Sequence, residues 1–310
     1  MIKFGPSGFC EVFLENHSRS DQIPEFLKEH NLDAYEYAFN RGVNISDEKA
    51  LKLREVFDKN NITLSVHGPY YINLANPDDQ MAEKSKQYII DSLKKMKLLG
   101  AKYLVYHPGS LTKLTREKAF ELTMKRTKEL VELLDENDIH DMYICPETMG
   151  KHGQVGTVEE VAMMCALDDR IIPTLDFGHI NSFGLGSLKT EEDFENIFKI
   201  LEKHMGDRFR KVHIHFSKIE YGAKGEIKHL NFDEDENNFG PNFEPLAKVL
   251  KKLNIEATII CESRGNQTMD AKKMKEIFTQ TIWFDDSCVV YLNSSKKSIF
   301  GGFVWLQQEI

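Results

Sequence analysis

Six short apolar runs in this chain each carry a histidine or a carboxylate at or near their end. His67 lies in TLSVHG (63–68), His107 in YLVYHPG (103–109) and Glu147 in MYICPETM (142–149). Asp176 lies in IIPTLDFG (171–178), with His179 three residues on; His213 and His215 lie in KVHIHF (211–216) and Glu262 in ATIICES (257–263). Taken singly, a histidine at a strand end usually just caps or hydrogen-bonds at a surface. Gathered in one place, so many imidazoles and carboxylates would repel or stay unpaired unless something positive sat among them. Mixed His/Asp/Glu ligation suits zinc, with manganese or iron as further candidates. His213 and His215 are two apart, so along a strand they point the same way, at different depths. Cys145 and Cys261 neighbour the carboxylates but are expected to pack as small apolar residues. The chain has no GxSxG, P-loop or HExxH motif, and no serine context that argues for a Ser/His/Asp triad.

The elements that would gather these residues are legible as a repeat. Strand-like runs at 2–9 and 34–39 precede the six above, making eight. Between them lie amphipathic segments, clearest at 46–60, 80–99, 114–137, 191–205 and 243–254, with apolar residues at i, i+3 and i+4. In 191–205, Phe194, Ile197, Phe198 and Leu201 share one face and acids fill the first turn. Eight strand–helix repeats in about 280 residues predict an α/β fold, the (β/α)8 TIM barrel, whose strand ends converge on one mouth. The competing topology is a doubly wound open sheet, but no GxGxxG follows the first strand. The acidic run 233–236 reads as a solvated loop between the last two strands.

Composition sets outer bounds. The chain has 310 residues, 41% hydrophobic and 29% charged, with 40 Lys+Arg against 49 Asp+Glu. That is enough apolar material for a large core without disulfides, and no apolar run is long enough for a membrane span. Five scattered cysteines without a CxxC, and an N-terminus unlike a signal peptide, point to a reducing, cytoplasmic setting. The net charge of -9 argues against a charge-driven nucleic-acid binder. It leaves room for a local basic rim or a site whose metals supply positive charge.

Several segments together resemble the endonuclease IV family of apurinic/apyrimidinic endonucleases. SVHGPYYINLAN (65–76) is similar to its HxPYxINL segment, YHPGS (106–110) to its HPGS motif, and PETMGKHGQVG (146–156) to its glutamate-containing glycine loop. LDFGHINSFG (175–184) resembles its DxxH motif, and HIHFSK (213–218) stands where the family has HxNDxK. The resemblance runs over residues 1–280 and implies a barrel with a zinc centre, two or three Zn2+ per chain with Mn2+ as an alternative. It implies cleavage of double-stranded DNA 5′ to an abasic site, by a monomer. By position, His67, His107 and Glu147 would hold one metal. Glu147 as a bridge, with Asp176, His213 and Glu262, would hold a second. His179 and His229 would hold a third. There the chain departs from the pattern: in GEIKH (225–229) an ungapped match puts Ile227 where the family has a ligating Asp. Glu226 is then the shifted candidate, and an Asp restored at 227 is expected to raise occupancy. Glu147 would also position the attacking hydroxide. Tyr70 and Tyr71 are the candidates to wedge into a duplex, and Lys151, Lys218, Lys224, Lys228 and Arg264 to contact phosphates.

Two other readings stand beside this one. The set Glu147, Asp176, His213 and Glu262 also resembles the metal site of sugar isomerases and epimerases built on xylose-isomerase-like barrels, and a non-enzymatic binding barrel is a third class. Residues 281–310 follow the last barrel repeat and read either as a hairpin or as a segment foreign to the barrel.

Overall fold

Eight runs rich in β-branched and aromatic residues form eight parallel strands in the computed structural model, which describes residues 2–281. The reading of 281–310 as a hairpin or foreign segment falls, from residue 282 onward, outside the described residues. The strands are Lys3–Pro6, Ala34–Ala38, Thr63–His67, Tyr103–Tyr106, Tyr143–Pro146, Thr174–Asp176, Lys211–Phe216 and Glu256–Cys261. The second to fifth form one arc, and the sixth, seventh, eighth and first form the other. Parallel bridges Ser7–Glu36 and Glu147–Thr174 join the arcs at both seams. The sheet therefore closes into a (β/α)8 barrel, as the repeat predicted. Closure brings the first two strands very close at one point. A Cβ on Gly5 would stand 1.7 Å from the Ala34 carbonyl oxygen, so only glycine fits there.

The outer helices start and stop on local signals. Ser46, Asp78, Thr115 and Thr190 each accept a backbone N–H at the start of Asp47–Lys59, Asp79–Leu99, Arg116–Glu136 and Glu191–Met205. Phe194, Ile197, Phe198 and Leu201 are buried together, the face their spacing implied. Side chains of this kind fill one large core between strands and helices. Sequence periodicity did not single out four short helices, Glu11–Asn16, Ile23–Glu29, Val158–Cys165 and Phe177–Phe183. Each is too short for an i, i+3, i+4 pattern to repeat. No helix among the described residues is long and apolar enough to cross a membrane.

An antiparallel hairpin, Lys218–Gly222 with Gly225–Leu230, leaves the seventh strand and folds over the mouth. The acidic run that follows departs from a purely solvated loop. The Asp235 side chain is 2% exposed, accepts the Phe239 and Gly240 N–H groups, and pairs with Lys218. One acid of the run thus holds the loop's shape, while Asp233, Glu234 and Glu236 stay exposed.

Candidate metal centre

Strand ends bring the predicted residues to one mouth. Glu147 stands at its middle, 1% exposed, immediately after the fifth strand. Its two oxygens face opposite ways. Oε2 lies 3.3 Å from His67 Nε2 and 3.2 Å from His107 Nε2. Oε1 lies 3.1 Å from His215 Nδ1 and 3.4 Å from His179 Nδ1. Glu262 Oε2 is 3.4 Å from the same His215 nitrogen. Asp176 ends the sixth strand and caps the helix Phe177–Phe183, its Oδ1 accepting the His179 N–H at 2.7 Å. That cap fixes His179 one turn on, with Nδ1 3.3 Å from Asp176 Oδ2.

Among the described residues four groups of ligand atoms lie within 4.8 Å: His67, His107 and Glu147; Glu147, Asp176, His215 and Glu262; His179, Glu226 and His229; and, one layer deeper, Glu36, His213 and His215. The second group corrects the sequence reading. His215, not His213, stands beside Glu147 and Glu262. His213 sits one layer deeper, its Nε2 2.9 Å from Glu36 Oε2. Parity made both point inward, and depth along the strand decided between them. Glu36 itself escaped notice. Its signal was an acid in AYEYA, an inward position of a barrel strand that leaves it 0% exposed.

The third group depends on the hairpin's register. Ile219 pairs with His229 and Tyr221 with Glu226, while Glu220 pairs with Lys228, so Ile227 is an extra residue. Cross-strand partners share a face, and Ile219 and Tyr221 are two apart. Glu226 and His229 therefore face the mouth together, and Ile227 turns outward, 57% exposed. An Asp at 227 would point into solvent, contrary to the expectation from an ungapped match. The hairpin is held down by Gly225, whose φ is +91° and where a Cβ would stand 2.1 Å from the Gly150 carbonyl oxygen. The Glu226 N–H donates to that carbonyl at 3.0 Å.

The electrostatics ask for positive charge. Burial would raise the Glu147 carboxyl, but His215 and hydrogen bonds from His107, His179 and His215 outweigh it and hold it well below the carboxylate range. Burial opposes Glu262 likewise, and His215 brings it down to about 2. Burial would lower His67 and His179, yet Glu147 lifts the first to about 9, and Asp176 and Glu147 lift the second to about 10. Asp176 is raised by burial and by Glu147 and Glu262, against His179. Its Oδ2 is buried without a hydrogen-bond donor. The carboxylates thus draw the His67 and His179 imidazoles toward their charged form, and the Asp176 oxygen without an aligned donor lies 3.3 Å from His179. The donor set fits divalent metal.

A cavity of about 320 Å³ opens onto the centre, lined by His67, His107, His179, Glu226, His229 and Glu262 together with Tyr70 and Lys151. Tyr70, which lines it, and the adjacent Tyr71 are both half exposed, rings 4.5 Å apart, and Arg41 Nε donates to the Tyr70 hydroxyl at 3.1 Å. Arg41 was not anticipated. Lys224, Lys228 and Arg264 are exposed, and Lys151 lies 3.7 Å from Glu226. Lys218 is largely covered, its side chain 16% exposed. It is tied to Asp235 at 3.4 Å and to the Phe232 carbonyl at 3.2 Å. Cys145 and Cys261 are fully buried thiols, with no place in the ligand groups.

A family model described as a xylose isomerase-like TIM barrel matches residues 24–281. An uncharacterized protein of Methanocaldococcus jannaschii is 32% identical over 264 residues, covering 85% of this chain and 92% of its own. A probable endonuclease 4 of Mycoplasma mobile is 35% identical over 199 residues, 62% of this chain and 67% of that protein. The chain spans 58% of the length of a second probable endonuclease 4, from Mycoplasmopsis synoviae. Among solved structures, endonuclease IV from Thermus thermophilus superimposes with a TM-score of 0.65 at 19% identity, over 90% of this chain and 100% of that one. A D-tagatose 3-epimerase-like protein does so with a TM-score of 0.66 at 21% identity, over 94% and 100%. At such identities the structural likeness is one of fold.

Proposed function

The chain belongs to the xylose isomerase-like TIM barrel family, and we propose that within it this protein is a metal-dependent endonuclease hydrolysing DNA 5′ to an abasic site. The observation that carries the reading is the orientation of Glu147, whose oxygens face two different histidine groups across one mouth. A single-metal sugar site needs only the quartet Glu147, Asp176, His215 and Glu262. The pair His67 and His107, and the trio His179, Glu226 and His229, are surplus to that need. They suit a centre of two or three ions, with zinc matched to the imidazole and carboxylate donors.

When bound, such ions supply Lewis acidity toward a phosphoryl oxygen and a lowered pKa for attacking water. The chain's own residues set where this happens. Glu147 would tie the first two sites at fixed separation, and the Asp176 cap would hold the third beside them through His179. No side-chain nucleophile is required. The centre lies at the base of a cavity, out of reach of a phosphodiester in a straight duplex. The target nucleotide would have to swing out, which an abasic site makes cheap because no base pair is lost. Tyr70 and Tyr71 would fill the gap, with Lys151, Lys224, Lys228 and Arg264 meeting phosphates. The proposal is of a monomer working in a reducing cytoplasm, where the four described cysteines remain thiols.

The second reading, a sugar isomerase or epimerase, is favoured by the quartet itself and by the acidic total charge. Metal analysis of purified protein separates the two. More than one tightly held zinc per chain supports the endonuclease, and a single manganese rejects it.

A further inference from the structure

Beneath the metal-ligand groups lies a second, fully buried set of polar side chains. Glu36 on the second strand is 0% exposed. Its Oε2 accepts from Ser65 Oγ at 2.9 Å and meets His213 Nε2 at 2.9 Å. Its Oε1 lies 2.9 Å from His215 Nε2. The other nitrogen of that ring, Nδ1, faces Glu147 and Glu262. His215 thus stands between two layers, one nitrogen toward each. His215 Nε2 and Glu36 Oε1 lie 2.9 Å apart, both buried and neither with another hydrogen-bond partner.

We propose that Glu36 is a positioning residue that keeps the proton of His215 on Nε2 and so presents Nδ1 to the cation held with Glu147, Asp176 and Glu262. An imidazole that binds metal through one nitrogen almost always donates from the other, and a carboxylate acceptor both fixes the ring and raises its basicity. Among the described residues it is Glu36 that lies 2.9 Å from this nitrogen. His213 is committed to Glu36 from below, its ring stacked 6.0 Å from that of Tyr103. Ser65 and His213 occupy Oε2, which leaves Oε1 for His215 alone. A cation lodged between Glu36, His213 and His215 would have to displace the Ser65 and His213 hydrogen bonds. It would also put the ring proton of His215 on Nδ1, leaving no imidazole nitrogen for a cation held with Glu147, Asp176 and Glu262.

This inference rests on the metal-centre part of the proposed function and on no property of DNA. Two measurements test it. In wild-type protein loaded with cadmium, the imidazole nitrogen spectrum should show His215 protonated at Nε2 and coupled to the metal through Nδ1. Coupling through Nε2, or a His213 ring bound to metal, overturns the proposal. In Glu36→Gln, cobalt(II) affinity by chelator competition should fall roughly 10–100-fold, the range for outer-shell partners, with a changed visible spectrum. Wild-type affinity and spectrum in that variant also overturn it. Because the first measurement uses wild-type protein, a variant that fails to fold leaves the test intact. Wild-type protein that binds cobalt but leaves abasic DNA uncut would sink the endonuclease reading while sparing Glu36.

Discussion

Glu226 and His229 are three residues apart in one β-strand, yet both face the mouth, with Glu226 Oε1 3.9 Å from His229 Nε2. A regular strand would set them on opposite faces. The looped-out Ile227 between them changes the phase, so one inserted residue does what a different ligand spacing would otherwise do.

Two substitutions in that hairpin should therefore behave differently from what the linear sequence suggests. Glu226→Gln should lower the metal content of the loaded protein by about one ion, because it removes one of three donors. Ile227→Asp should leave metal content unchanged, since its side chain points to solvent. Metal counting on both variants checks the pair, and a gain of metal in Ile227→Asp would contradict the bulge.

Glu147 is the member shared between two ligand groups. Glu147→Gln should weaken metal retention by more than the roughly 10–100-fold typical of an outer-shell change. It should disturb both groups at once, which replacing His107 alone would not. Chelator competition curves on the two variants read this directly.

Salt dependence of binding to abasic duplex sorts the basic residues. Removing Lys224 or Arg264 should each reduce the log–log salt slope by about 0.9, the share of one phosphate contact. Lys218→Met should leave the slope alone. It should instead cost about 1–2 kcal/mol of stability, because Asp235 and the Phe232 carbonyl lose a charged donor. A slope change in Lys218→Met would return that lysine to the DNA interface.

A cluster far from the mouth makes a pH prediction. Hydrogen bonds from Arg170, two of them at 2.9 Å, hold the Asp168 carboxyl below its ordinary value. A depressed carboxylate contributes stability above its unfolded pKa and loses it as pH falls through the folded one. Asp168→Asn should melt earlier than wild type at neutral pH, by a free energy of about 1–2 kcal/mol. The gap should narrow as the solution is acidified below the ordinary carboxylate range. Thermal melts across that window test the sign.

The barrel was legible because each strand is a short β-branched run and each long helix repeats its apolar face several times. Helices such as Phe177–Phe183 escaped because one or two turns hold no periodicity. At the site, strand ends located His67, His107, Glu147, Asp176, His179 and Glu262, because in a barrel all such ends meet. Two things required coordinates. Depth along one strand put His215 rather than His213 beside Glu147, and a register shift turned Glu226 toward His179. Glu36 was hidden for a related reason: an acid among aromatics looks like a surface position until its strand is known to face inward.

The most direct test of the whole account is incision of a duplex carrying one synthetic abasic site by metal-loaded protein, with and without chelator. The account predicts a single cut 5′ to the lesion, abolished by chelator, and no cut in the undamaged duplex. Intact abasic duplex after incubation with metal-loaded protein, alongside turnover of a ketose sugar, would contradict it.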